Sequence, residues 1–100
     1  MSTKLDISVA SVGDWMMATV RGELDMASSA DLEATCLELD GDVAVDLAGV
    51  QFIDSSGLAA LLRLSHRDGR CVLLNPSDPV LRLFEITKVT NRFDIRDALA

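Results

Sequence analysis

Asp54-Ser55-Ser56-Gly57 offers the chain's best-placed hydroxyls. A carboxylate followed by two serines and a glycine, between an apolar run and an apolar periodic segment, is the pattern of a capped helix start. A serine there can serve as a nucleophile or accept a modification. Nucleophilic use needs a base close by, yet His66 is the only histidine and reads as a solvated helix residue. The Gly-x-Ser-x-Gly elbow of hydrolases is also absent from this stretch. Asp46, near the end of an apolar strand, invites comparison with a phospho-accepting aspartate. The acidic cluster and lysine that such a site requires are not evident, and the chain is short for that fold. No phosphate-cradling glycine loop or dinucleotide fingerprint occurs, so a nucleotide would have to be held by another protein. Cys36 and Cys71 each stand in an apolar pattern and read as buried reduced thiols, not as a disulfide or metal pair.

The segments that would position Ser55 follow from periodicity. Leu5, Ile7 and Val9 alternate with polar or small residues, Gly13-Asp14 interrupts, and Trp15 to Val20 resumes, which predicts an antiparallel strand pair. Arg21 to Asp25 leaves the second strand, and the Ser28-x-x-Asp31 spacing predicts a helix cap, with Leu32, Cys36 and Leu39 on one face. Asp40-Gly41-Asp42 ends that helix. Val43 to Leu47 reads as a short central strand covered on both faces, linked through residues 48–51 to Phe52-Ile53 and the serine turn. Leu58, Leu61, Leu62 and Ser65 then line a helix that stops near Arg67-Asp68-Gly69. Cys71 to Leu74 is the next buried strand. Asn75-Pro76-Ser77 restarts a helix with Val80, Leu83, Phe84 and Thr87 as its buried stripe, and the apolar residues among 93–99 close the core.

This pattern predicts an α/β fold: one domain over residues 1–100 with a small mixed sheet, its first strand antiparallel, and helices mainly on one face. With 100 residues, 49% of them hydrophobic, the chain can build one core without disulfide or metal support. The longest apolar runs are far too short to span a bilayer. The N-terminus lacks a basic then apolar secretion pattern, which makes the cytoplasm the expected location. A net charge of -7 without a compensating basic stripe argues against direct nucleic-acid binding. Met16, Met17 and Met26 are either plain packing or adaptable contact surface, a choice that exposure decides.

The run Val45 to Leu58, with its strand followed by Asp54-Ser55-Ser56-Gly57-Leu58, resembles the STAS family and its bacterial anti-sigma factor antagonists. Arg21-Gly22-Glu23-Leu24-Asp25 is similar to that family's Gly-Glu-Leu-Asp turn, and Leu83-Phe84-Glu85-Ile86-Thr87 to its third helix. Lys88-Val89 departs from it where many members place Gly-Leu. The resemblance implies a binding module and not an enzyme, with no cofactor or metal of its own. Its partners would be an anti-sigma factor serine kinase, displaced from a sigma factor in a stress response, and a metal-dependent serine phosphatase that resets the cycle. It also implies that Ser55 is the phosphorylated residue, ahead of Ser56, and that Asp25, Asp54, Ser55, Ser56, Gly57 and Leu58 meet the partner. The same resemblance admits a STAS adaptor in a lipid-transport or stress-signalling complex, with Ser55 only a cap.

Overall fold

The computed structural model describes residues 5–99. Strand β1 (Asp6–Val12) turns through Gly13-Asp14 into β2 (Trp15–Leu24). The two pair antiparallel from Asp6↔Arg21 to Val12↔Trp15, so only two residues form the turn, and Gly13 supplies its positive φ of 59°. Helix α1 (Met26–Leu37) leads to β3 (Asp42–Ile53), α2 (Ser55–Leu64) to β4 (Cys71–Leu74), and α3 (Asp78–Thr87) with a short 3-10 turn to β5 (Asp94–Arg96). The sheet order is β1-β2-β3-β4-β5, with every pairing after the first parallel. The expected mixed sheet is therefore observed.

Alternation along the strands separates two faces. Ala18 and Val20 of β2, Val43, Val45 and Leu47 of β3 and Leu73 of β4 meet Leu32 and Cys36 of α1, Leu58, Leu61 and Leu64 of α2, and Val80 and Phe84 of α3 in one buried cluster. All three helices thus cover the same face. The opposite face carries a smaller cluster, Ala44, Val72 and Leu74, sheltered by Trp15, Met17 and Leu99. Guanidiniums of Arg70 and Arg96 stand 4.7 and 5.8 Å from the Trp15 ring, giving that face a cation–π lid. Phe93 stacks on Phe84 at 4.5 Å, so the C-terminal segment does close the core.

Several boundaries differ from the sequence expectations. Strand β3 does not stop at Leu47 but continues to Ile53. Two register shifts against β2, between Thr19 and Arg21 and between Gly22 and Glu23, reset the alternation. The core positions therefore run Leu47, Val50, Ile53, a spacing of three that hides a strand. Gly49 is required there, because a Cβ would lie 2.3 Å from Cγ of Arg21, whose side chain crosses it. Strand β2 likewise runs on to Leu24, and α1 ends at Leu37, leaving Leu39 beyond the helix. Thr87, placed in the buried stripe, is exposed, and its hydroxyl bonds back to the Leu83 carbonyl at 2.6 Å. His66 is exposed as expected, although in the turn after α2 and not within it. Cys36 is buried and Cys71 partly so, both free, and burial pushes their pKa up to about 12 and about 11.

Lys88, where a glycine was the alternative, retains the left-handed helix end with φ 59° and ψ 39°, and its N–H and that of Val89 reach the Glu85 and Phe84 carbonyls. A lysine pays a steric cost there that glycine does not. Lys88→Gly should therefore stabilise the domain by about 1 kcal/mol, raising the midpoint of a thermal melt by roughly 4–8 °C.

Candidate functional site

Leu24 and Ile53, the last residues of two adjacent parallel strands, are register partners, and each strand is followed by an aspartate and then a helix. Both aspartates take the same extended conformation, φ -117° and ψ -168° at Asp25, φ -118° and ψ -170° at Asp54. Each points its carboxylate back over the first turn. Oδ1 of Asp54 accepts from the N–H groups of Ser56 at 2.9 Å and Gly57 at 3.2 Å. Oδ1 of Asp25 accepts from those of Ala27 at 3.1 Å and Ser28 at 3.0 Å. Two of the unpaired donors at each helix start are thus satisfied.

The first cap is reciprocal. The Asp25 N–H donates to Oγ of Ser28 at 2.9 Å, and that hydroxyl donates to the Glu23 carbonyl at 2.6 Å. Ser28 is therefore the third residue of α1 and not its cap, which corrects the expected helix start. The Ser28 N–H and then its hydroxyl hold the Asp25 carboxyl below the usual range for an aspartate. A depressed folded-state pKa stabilises the fold above the unfolded value, and this is lost as pH falls through the folded one. Denaturation midpoints of wild type should therefore decline more steeply than those of Asp25→Asn as pH drops through 3.8 and below.

The two caps are joined through the backbone. The Asp54 N–H donates to the Leu24 carbonyl at 3.3 Å, and a Cβ built on Gly57 would stand 2.6 Å from that same oxygen. Gly57 is consequently a contact within the chain that brings α2 down onto the end of β2. It is buried, and Leu58 exposes only 8% of its surface within the core cluster. Both were expected to meet the partner, and both instead face inward, because the helix can approach the strand only over an unsubstituted backbone. Asp25, Asp54, Ser55 and Ser56 remain at the surface, Ser55 exposed and Ser56 half-buried.

Met26 opens α1 as Ser55 opens α2, and it is 77% exposed, which excludes plain packing at that methionine. Met16 and Met17 are partly buried against the two clusters and belong to packing. Sequence reasoning missed the Leu24 carbonyl, since a backbone acceptor leaves no trace in residue type. His66 lies past the far end of α2, roughly 15 Å from Ser55 at 1.5 Å per residue, and supplies it no base. Among the described residues no group of three or more His, Cys, Asp or Glu side chains is arranged to hold a metal ion. Among the described residues no helix is long and apolar enough to cross a membrane.

A mixed sheet with helices on one face and a capped serine opening the second helix is the architecture of a STAS-type α/β domain. The family described as "Mlab, STAS domain" matches residues 7–97, and the chain belongs to it. It is 32% identical over 101 residues to the anti-sigma-B factor antagonist of Staphylococcus aureus (strain NCTC 8325 / PS 47), covering 93% of this chain and 94% of that protein. An anti-sigma factor antagonist structure from Mycobacterium paratuberculosis superimposes with a TM-score of 0.81 at 20% identity, over 96% of this chain and 88% of that one. The anti-sigma factor antagonist SpoIIAA matches in its unphosphorylated form with TM-score 0.69, 21% identity and coverage of 94% and 90%. The Bacillus SpoIIAA in its phosphorylated form matches with 0.68, 20%, and 91% of both chains.

The Leu24–Gly57 approach sets a clear expectation. Gly57→Ala should cost about 1–3 kcal/mol of unfolding free energy in a denaturant titration, because the new methyl group must displace backbone.

Proposed function

We propose that this chain is an anti-sigma factor antagonist: unphosphorylated, it binds an anti-sigma factor that is a serine kinase and thereby frees a sigma factor. Phosphorylation of Ser55 by that kinase ends the association. A metal-dependent serine phosphatase restores the hydroxyl, so ATP and magnesium belong to the partners, all acting in the cytoplasm. The observation that carries the reading is the exposed hydroxyl of Ser55 as the first residue of a helix already capped by Asp54. It is supported by the relative in S. aureus with the same activity in its name, and by the match to SpoIIAA in both phosphorylation forms.

The chemistry of the switch follows from that position. A phosphoryl group adds about -1.5 to -2 charges and three strong acceptor oxygens to a small neutral side chain. A helix start favours an anion by about 0.3–1 kcal/mol, and the Asp54 carboxylate offsets part of this, so the fold gains or loses little. The partner surface, fitted to a bare hydroxyl, meets both a clash and an uncompensated charge. Asp25, Asp54 and Ser56 frame the docking site around Ser55, with Met26 as an adaptable apolar contact. Gly57 and Leu58 hold the helix that presents it. Ser56 is the lesser acceptor, being half-buried.

A second reading, a STAS adaptor without a serine switch, is compatible with the same family match. Intact mass after incubation with ATP, magnesium and an anti-sigma kinase separates the two. One phosphoryl addition that disappears in Ser55→Ala and persists in Ser56→Ala is expected, and Ser55→Asp should lose kinase binding while its melting midpoint stays within about 2 °C of wild type. Equal binding by Ser55→Asp and wild type would favour the adaptor.

A further inference from the structure

The surface at the two helix starts is made of short side chains. Asp25, Asp54, Ser55 and Ser56 are small and polar, and Met26 is the one long apolar side chain among them. A stable contact between proteins covers roughly 800 Å² per partner and draws most of its energy from a few apolar or arginine anchors seated in pockets. Four short polar side chains offer little to seat such an anchor. Directly beside them a groove of about 290 Å³ runs along α3, lined by Ile53, Asp78, Pro79, Arg82, Leu83 and Ile86. Ile53 joins it to the serine turn. That residue immediately precedes the Asp54 cap, and a Cβ built on Gly57 would stand 2.9 Å from its Cγ1, so the groove and the first turn of α2 are in contact.

The groove exists because α3 is apolar on more of its circumference than the core uses. Val80 and Phe84 are buried, whereas Pro79, Leu83 and Ile86 recur at i, i+4 and i+7 and form a second stripe beside them. Ile86 is 69% exposed. Among the described residues the ion pairs are those of Arg63, Arg70 and Arg96, so the exposed Arg82 in the groove wall is free. From these features we propose that the α3 groove extends the docking surface: it receives an apolar side chain of the anti-sigma factor kinase, and an acidic side chain of that partner meets Arg82. The inference rests on the reading of Ser55 as the phosphorylated switch of an anti-sigma factor antagonist. The charge pattern fits one partner spanning both regions. Asp25 and Asp54 make the serine turn acidic, and Arg82 reverses the sign beyond it. A partner basic over the turn and acidic over α3 is therefore selected and docks in one orientation. By the strand order β2-β3-β4, Ser55 lies between the Asp25 cap and the start of α3, where a phosphoryl group interrupts a contact held on both sides.

Binding of the full chain is measured by calorimetric titration with the anti-sigma kinase that phosphorylates it in the mass assay, with ADP in place of ATP so that no transfer occurs. Ile86→Lys should weaken binding at least about tenfold, and Arg82→Glu at least about fivefold. Both side chains are exposed, so the melting midpoints should stay within about 2 °C of wild type. Leu37→Lys makes the same change of charge at a residue 54% exposed, at the far end of α1, and should bind as wild type does. Binding of Ile86→Lys and Arg82→Glu within about twofold of wild type, while Ser55→Asp loses binding, would overturn the groove and leave the serine switch standing. A loss in Leu37→Lys as large as that in Ile86→Lys would also overturn it. Equal binding by Ser55→Asp and wild type would remove the switch and this proposal together.

Discussion

The arrangement of the site depends on one close approach, that of the α2 backbone at Gly57 to the Leu24 carbonyl. That oxygen also accepts the Asp54 N–H, so a single acceptor at the end of β2 fixes both the cap of α2 and the depth to which its first turn descends. The placement of Ser55 follows from this. The helix start is pressed against the sheet, Gly57 and Leu58 are drawn inward, and Ser55 is turned out to solvent beside Asp54. The parallel register places the Asp25 cap on the neighbouring strand, with Met26 outward. The proposed docking surface is thus made of two helix starts, held by backbone geometry and not by long side chains.

Such a platform suits a charge switch. Its hydrogen bonds are already made, so a phosphoryl group at Ser55 changes what the surface presents and disturbs little beneath it. The core supports this separation. The helical apolar residues and one face of the sheet form a single buried cluster, to which Leu58 of α2 belongs. The proposed partner-switching cycle then needs no conformational change in the domain. The energetic consequence is confined to the complex, where a desolvated charge without a counter-ion is costly.

Much of the fold was legible because periodicity reports burial directly: β1, the start of β2, β4, α2 and α3 fall where alternation or the helical spacing places them. What escaped was set by long-range geometry. The bulged stretch of β3 changed its core spacing from two residues to three, through two register shifts against β2 that residue type does not announce. Ser28 looked like a cap, but the carboxylate of Asp25 outcompetes a hydroxyl for the same N–H groups, and Ser28 reciprocates instead. Inward-facing Gly57 and Leu58 illustrate the same limit, since residue type alone does not say which neighbour a glycine admits. The assignment of Ser55 over Ser56 came from family resemblance. Its exposure is compatible with that assignment and is not something an Asp-Ser-Ser-Gly pattern discloses.

The most direct test of the account is a comparison of amide chemical shifts and hydrogen exchange between the protein carrying serine and the protein carrying phosphoserine at position 55. The account predicts shift changes confined to residues 24–28 and 53–59, with exchange protection in β3, β4 and α3 unchanged. Shift changes spread across the sheet and α3, with lowered protection there, would contradict it and mean that the switch acts by remodelling the fold.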